Sequence, residues 1–434
     1  MSNFITSNSG SLKGSIKVPG DKSISHRSIM LGSIADGITR VSGFLEGDDS
    51  LATLNAFKDM GVQIERDGSN VVIHGVGMKG LEEPKNPLYL GNSGTSIRLM
   101  SGLLSAQKFN SKLCGDESLS IRPMGRVIKP LQEMGADISG DDSKPPLLIK
   151  GGKQLSGIEY TLPVASAQIK SCLLLAGLYS EGKTTVIENG ISRDHTERML
   201  KGFGYDVTSS NNTISLVGGG SLKGCSIEVP SDISSAAFFM VAGCISENSS
   251  LLLNSVNINP TRTGVIDILK LMGGNIELLN QRLQAGELIA DIKVTSSELK
   301  GIKIPENLVP LAIDEFPVLF IAASCARGET VLTGAKELRV KESDRIQVMA
   351  DGLTSLGIEN SVLEDGIRIL GGEFTKQNSS IKSHHDHRIS MAFAIASVRS
   401  KFDIEIEGVD NVKTSFPNFI ELANSIGMKI KQIG

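Results

Sequence analysis

Six times along the chain an amphipathic stretch ends on a glycine and gives way to alternating apolar and polar positions. The six read AFKDMGVQIE, PLQEMGADIS, MLKGFGYDVT, ILKLMGGNIE, GLTSLGIENS and LANSIGMKIK. Helical spacing before the glycine and a two-residue period after it predict a helix followed by a strand. The glycines are Gly61, Gly135, Gly204, Gly273, Gly357 and Gly427, about 70 residues apart with one interval near 84. A glycine directly after a helix suits a left-handed C-cap.

Each copy is preceded by an earlier helix of different character: SHRSIMLGSIA, GTSIRLMSGLL, SAQIKSCLLLAGLY, DISSAAFFMVAGC, DEFPVLFIAASCA and DHRISMAFAIASV. These are rich in small residues and apolar on nearly every side, which predicts helices enclosed all round. After most of them comes a strand-like run such as ITRVSGF, KTTVIEN or ETVLTGA. The pattern therefore predicts an α/β protein of six βαβαβ-like units, grouped three and three, with helices inside and sheets outside.

Length supports the grouping, because 434 residues exceed one compact core and suggest two domains of roughly 200 residues. The net charge of −4 supplies no global basic field for nucleic acid or anionic lipid. Any anionic ligand must be met by a local cluster of cations. Five cysteines without close pairing fit a reducing compartment better than a disulfide framework. The N-terminus MSNFITSNSGSLKG has no apolar signal core, and the longest apolar runs fall short of a membrane span. A soluble cytoplasmic protein is expected.

The polar residues that break the pattern gather where the enclosed helices begin. A helix N-terminus offers unbonded N–H groups and partial positive charge. In GDKSISHR, Lys22, Ser23 and Arg27 converge on one such entry, with Ser23 and Arg27 one turn apart. In YLGNSGTSIRLM a Gly-rich loop around Gly94 lets backbone N–H groups approach a ligand, and Arg122 follows in the rigid turn SIRPMGR. Ser166 and Gln168 head the next helix and offer neutral hydrogen bonds, while Arg193 lies in the polar loop ISRDHTERM. Asp314 and Glu315 open the helix of LAIDEFP. LRVKESDRIQ packs Arg339, Lys341, Glu342, Asp344 and Arg345, with Lys341 and Arg345 again i and i+4. A carboxylate beside cations in a cleft is suited to proton transfer. Arg388 enters the last helix from SHHDHRISMA. The three histidines there do not make a metal site, since His384 and His385 are adjacent and no cysteine or further carboxylate cluster joins them.

Taken in order, GDKSISHRS, LGNSGTSIR, RPMGR, SAQIKS, SRDHTERML, IDEFP, VKESDR and DHRISM closely resemble the motifs of the 3-phosphoshikimate 1-carboxyvinyltransferase (EPSP synthase) family. The resemblance runs from about residue 10 to the C-terminus, and SAQ-x-K and SRDHTE look like its class II branch. It implies a two-domain inside-out α/β barrel of six βαβαββ-type repeats, the enolpyruvyl transferase fold. The domains would be residues 1–20 plus 231–434 and residues 21–230, with the active site in the cleft between them. The implied reaction moves the enolpyruvyl group of phosphoenolpyruvate to the 5-hydroxyl of shikimate 3-phosphate and releases phosphate. It requires no metal or organic cofactor, and a monomer is expected.

Carried over by motif, the resemblance gives shikimate 3-phosphate to Lys22, Ser23, Arg27, Ser166, Ala167, Gln168, Arg193, Asp314 and Lys341. Phosphoenolpyruvate would fall to Lys22, Gly94, Arg122, Gln168, Arg345 and Arg388. Asp314 would take the proton of the 5-hydroxyl, and Glu342, with Lys22, would protonate the methylene carbon. The chain departs from the family pattern near its end: Thr414 stands three places before Pro417, where many relatives carry lysine, and Lys413 stands one place earlier. Gly94 occupies a position where some relatives carry alanine and resist glyphosate, so a glyphosate-sensitive enzyme is expected. The nearest alternative, UDP-N-acetylglucosamine 1-carboxyvinyltransferase, usually has a reactive cysteine close before its Arg-Pro. Here Cys114 lies further back than that, and Ser23 rather than asparagine follows Lys22. A non-catalytic anion-binding protein on the same fold would keep the arginines and lose the acids, yet Asp314 and Glu342 are both present.

Overall fold

The computed structural model describes residues 2–284, 286–376 and 380–434. The chain forms two compact units, Gly20–Val229 and Met1–Pro19 with Pro230–Gly434. Within each, three small sheets accompany three enclosed helices.

In the unit Gly20–Val229 the enclosed helices are α1 (Lys22–Ser33), α2 (Gly94–Leu104) and α3 (Ala167–Gly177). The middle repeat shows how each is built. Strand Leu88–Tyr89 is followed by α2, strand Ser111–Cys114, helix Gly125–Glu133 and strands Asp137–Gly140 and Leu147–Lys150. The first two strands pair in parallel and the rest antiparallel, in the spatial order first, second, fourth, third. A parallel neighbour requires a crossover, and the enclosed helix is that crossover. The third repeat follows the same order. The first repeat has no leading strand of its own. Ser226–Glu228, from the far end of the unit, pairs in parallel with Asp36–Ser42 in its place.

The other unit holds α4 (Ile233–Ile245), α5 (Phe316–Ser324) and α6 (His387–Ala396), which pack on one another. Its first residues serve two distant repeats. Lys13–Ile16 pairs in parallel with Ser250–Asn257, while Asn3–Ser7 lies between Ile404–Glu407 and Lys429–Ile433. An aromatic cluster seals this join: Phe4 stacks on Phe419 at 6.3 Å, and Phe416 meets Phe419 edge-on at 5.4 Å. In the middle repeat of this unit the leading strand shrinks to isolated bridges at Lys300 and Lys303.

Two sequence features make the repeat physically workable. The six glycines that end the outer helices all have positive φ, from +80° at Gly204 to +106° at Gly427, a region that side chains with a Cβ disfavour. The enclosed helices are buried along almost their whole length, and every residue of α4 and α5 is buried. Some of their serines are satisfied by bonding back to the helix: Ser101 Oγ donates to the Ile97 carbonyl at 2.7 Å and Ser324 Oγ to that of Ile321 at 2.8 Å. Close crossing explains their small residues. A Cβ on Gly102 would stand 2.0 Å from the carbonyl oxygen of Cys172 on the neighbouring α3. All five cysteines are free. No helix of the described residues is long and apolar enough to cross a membrane.

Candidate active site

In the unit Gly20–Val229, Lys22, Ser23 and Arg27 all lie on α1. Its N-cap is Asp21, whose carboxylate accepts from the Ile24 amide at 3.0 Å, so capping does not occupy Ser23. Lys22 pairs with Asp49. The Arg27 guanidinium is buried and held in a fan: Nε donates to Thr196 Oγ1 at 2.7 Å, Nη1 to the Ser23 carbonyl at 2.9 Å and Nη2 to Ser171 Oγ at 2.8 Å. His26, between the two cations, bonds through Nδ1 to Thr53 Oγ1 at 2.8 Å. Burial drives its imidazole well below the ordinary value and Lys22 and Arg27 add to this, so the ring is neutral.

Gly94 is the first residue of α2, capped by Ser93. Its α-carbon lies directly beneath two guanidinium groups. A Cβ there would meet Arg98 Nη1 at 2.7 Å and Arg122 Nη1 at 3.0 Å. Arg122 is anchored to Asn92, which in turn donates to Asp116 at 2.8 Å, so the Gly-rich loop and the Arg-Pro turn form one piece. Gln168, in the first turn of α3 behind the Ser166 cap and Ala167, accepts from Arg98 at 3.0 Å and donates to Thr95 Oγ1 at 3.2 Å. Arg193 lies partly buried in the loop between strand Lys183–Ile187 and helix His195–Gly202. The starts of α1 and α2 thus carry Lys22, Arg27 and Arg98, with Arg122 of the Arg-Pro turn and the neutral groups at the start of α3 beside them, which suits a phosphorylated, hydroxylated ligand.

In the other unit, Asp314 lies between two cations, with Lys341 Nζ at 3.1 Å and Arg345 Nη1 at 3.5 Å. Arg345 is 1% exposed and is also bonded to Glu342 at 2.6 Å and to Asp386 at 2.8 Å. Burial alone would favour a neutral guanidine, but Asp386, Glu342 and Asp314 outweigh it and raise its pKa. Burial likewise opposes charge on Asp386, yet Arg345 holds its carboxyl below the usual carboxylate range. Asp386 also caps α6, accepting from the Arg388 amide at 3.0 Å. Arg388 Nη1 donates to the Asp314 carbonyl at 3.0 Å and lies 3.9 Å from Glu315. Three carboxylates, Asp314, Glu342 and Asp386, therefore share one buried arginine. Such a group can pass protons while neighbouring cations hold an anion.

One expectation needs correction. The i, i+4 spacing of Lys341 and Arg345 suggested a common helical face, but the helix begins only at Arg345, and Lys341 ends the preceding 3-10 turn Lys336–Val340. The two meet through Asp314 and not through helical periodicity. Three further groups escaped the sequence reading. Arg98 lies one turn beyond Gly94, the spacing that could have flagged it. Asp49, in the first turn of helix Asp48–Asp59, belongs to none of the motifs. Asp386 was masked by the surrounding histidines. Near the C-terminus Lys413 is exposed, while Thr414 is buried and bonds to the Asn411 carbonyl at 2.7 Å.

Comparison with known proteins now bears on this geometry. Residues 6–422 match the family described as EPSP synthase (3-phosphoshikimate 1-carboxyvinyltransferase). A 3-phosphoshikimate 1-carboxyvinyltransferase of Ruthia magnifica subsp. Calyptogena magnifica is 67% identical over 433 residues, covering 100% of both chains. That of Hydrogenovibrio crunogenus is 61% identical, covering 98% of this chain and 97% of its own. Among solved structures, EPSP synthase from Acinetobacter baumannii superposes with a TM-score of 0.89 at 58% identity, covering 100% of both chains. The enolpyruvyl transferase NikO from Streptomyces tendae gives 0.80 at 14% identity over 100% of this chain and 99% of its own, a likeness of fold alone. Fold and site together define an enolpyruvyl transferase. The chain belongs to the EPSP synthase family.

Proposed function

We propose that the chain transfers the enolpyruvyl group of phosphoenolpyruvate to the 5-hydroxyl of shikimate 3-phosphate. The products are 5-O-(1-carboxyvinyl)-3-phosphoshikimate and phosphate, on the shikimate route to chorismate and the aromatic amino acids. The observation that carries this reading is Asp314, a carboxylate held 3.1 Å from Lys341 and 3.5 Å from Arg345 in a chain of this family. Shikimate 3-phosphate is assigned to Lys22, Ser23, Arg27, Ser166, Ala167, Gln168, Arg193, Asp314 and Lys341. Phosphoenolpyruvate is assigned to Lys22, Gly94, Arg122, Gln168, Arg345 and Arg388. The enzyme works as a cytoplasmic monomer.

In this reading an arriving anion draws Lys341 and Arg345 toward itself and frees Asp314 to act as a base. Asp314 takes the 5-hydroxyl proton as that oxygen bonds to C2 of phosphoenolpyruvate, and Glu342, with Lys22, delivers a proton to C3. The resulting ketal phosphate expels phosphate as the C3 proton returns and the leaving oxygen is protonated. The cations stabilise charge that collects on the carboxylate and phosphate during both steps. Excluding water would protect the enol phosphate from hydrolysis.

The test is phosphate release with EDTA present. Release that requires both shikimate 3-phosphate and phosphoenolpyruvate, and that Asp314→Ala abolishes, is expected. Release only with UDP-N-acetylglucosamine as acceptor would overturn the assignment in favour of the related transferase.

A further inference from the structure

One buried ion cluster takes no part in the reaction just described. Lys170, on α3, is 1% exposed. Its Nζ lies 2.9 Å from Glu188 Oε2 and 2.7 Å from Glu197 Oε1, both themselves buried. Glu188 follows strand Lys183–Ile187, and Glu197 lies in the first turn of helix His195–Gly202. The segment between them is the loop that carries Arg193. The other oxygen of Glu188 accepts from Ser192 Oγ inside that loop, and Asn189 Nδ2 donates to the Leu162 carbonyl at 2.9 Å.

Lys170 does not act alone. The next residue, Ser171, bonds to Thr196 at 2.6 Å, and Thr196 is the neighbour of Glu197. Lys170 and Ser171 on α3 thus engage Glu197 and Thr196 side by side. Ser171 and Thr196 are also two of the groups that hold the Arg27 guanidinium. Any slip of helix His195–Gly202 against α3 would open the fan around Arg27 and move Arg193 together.

A stability role explains this cluster poorly. Two carboxylates share a single ammonium in a buried place, and such arrangements seldom outperform apolar packing. Burial pushes the Glu197 carboxyl up, with Lys170 only partly opposing it. Its value lies in geometry, since a charge-assisted contact fixes direction as well as distance.

We infer that Lys170 is a positioning residue for the phosphorylated acceptor: its ammonium ties both ends of the 188–197 segment to α3 and so sets Arg27 and Arg193. The inference rests on the proposed assignment of Arg27 and Arg193 to the acceptor phosphate. Lys170 is enclosed and engaged by two carboxylates, so it does not touch the ligand.

The test compares wild type, Lys170→Met, Lys170→Arg and Ser192→Ala in steady-state kinetics with each substrate varied. In Lys170→Met the KM for shikimate 3-phosphate should rise about ten- to a hundredfold, the loss expected for a displaced charge-assisted hydrogen bond. KM for phosphoenolpyruvate and kcat should stay within about threefold. Lys170→Arg should recover most of the loss. Ser192→Ala loosens the loop without stranding a buried charge and should raise the acceptor KM by about two- to fivefold, which keeps the test decisive if Lys170→Met does not fold. Equal changes in both KM values, or none in a folded variant, would overturn the inference while leaving the function intact. A wild type that does not turn over shikimate 3-phosphate would overturn the function, and the inference with it.

Discussion

Gly94→Ala tests the phosphoenolpyruvate assignment with a single methyl group. The added Cβ would stand 2.7 Å from Arg98 Nη1 and 3.0 Å from Arg122 Nη1, short of the 3.4 Å at which ordinary contact begins. The two guanidinium ends must retreat by about 0.7 and 0.4 Å. Arg122 is anchored through Asn92 and cannot swing freely, so its bond to a bound anion lengthens. A charge-assisted bond is worth about 1.5–3 kcal/mol. Losing roughly half of one corresponds to about tenfold in KM. Backbone strain does not confuse the result, because Gly94 does not lie in the left-handed region and alanine favours the helix over glycine. Steady-state kinetics should therefore show KM for phosphoenolpyruvate raised about tenfold, with KM for shikimate 3-phosphate and the melting temperature little changed. An unchanged KM for phosphoenolpyruvate would refute the reasoning, as would an equal rise for both substrates.

Other predictions concern the same neighbourhoods. Glyphosate should inhibit the wild-type enzyme in competition with phosphoenolpyruvate, and Gly94→Ala should need more of it; full wild-type activity in saturating glyphosate at low phosphoenolpyruvate would contradict this. Asp386→Ala leaves Arg345 buried without its main counter-charge and should cost about 3–5 kcal/mol in urea unfolding. Because Asp386 is held below its unfolded value near 4, its contribution is present above about pH 4 and lost as the pH falls through the folded value; the urea midpoint of Asp386→Asn should fall less steeply there than that of wild type. Gly102→Ala would place a methyl group 2.0 Å from the Cys172 carbonyl and should destabilise by about 1–3 kcal/mol or more. A midpoint equal to that of wild type would mean that α2 and α3 can separate at little cost.

Repetition made the architecture legible. Six helix-ending glycines and six helices without a polar face are local patterns, and both survive folding because each repeat solves the same packing problem. Strand exchange was not legible in that way. Nothing local to Asn3–Ser7 says that it pairs with Ile404–Glu407, nor to Ser226–Glu228 that it completes the first repeat of its unit. The candidate site divided along the same line. Cations at helix starts stood out as anomalies in apolar surroundings. The groups that orient them, Asp49 for Lys22, Asp386 for Arg345 and Thr196 for Arg27, lie in the first turns or caps of their own helices and do not stand out in sequence, because their partners lie on other elements. Lys341 and Arg345 were rightly grouped for a wrong reason, since Asp314 and not a helical face brings them together.

The most direct test of the account follows the carbon skeleton: mass spectrometry of the products formed from shikimate 3-phosphate and phosphoenolpyruvate. The account predicts shikimate 3-phosphate converted to its enolpyruvyl ether with one phosphate released per ether formed. Phosphate released with pyruvate, and shikimate 3-phosphate recovered unchanged, would contradict it.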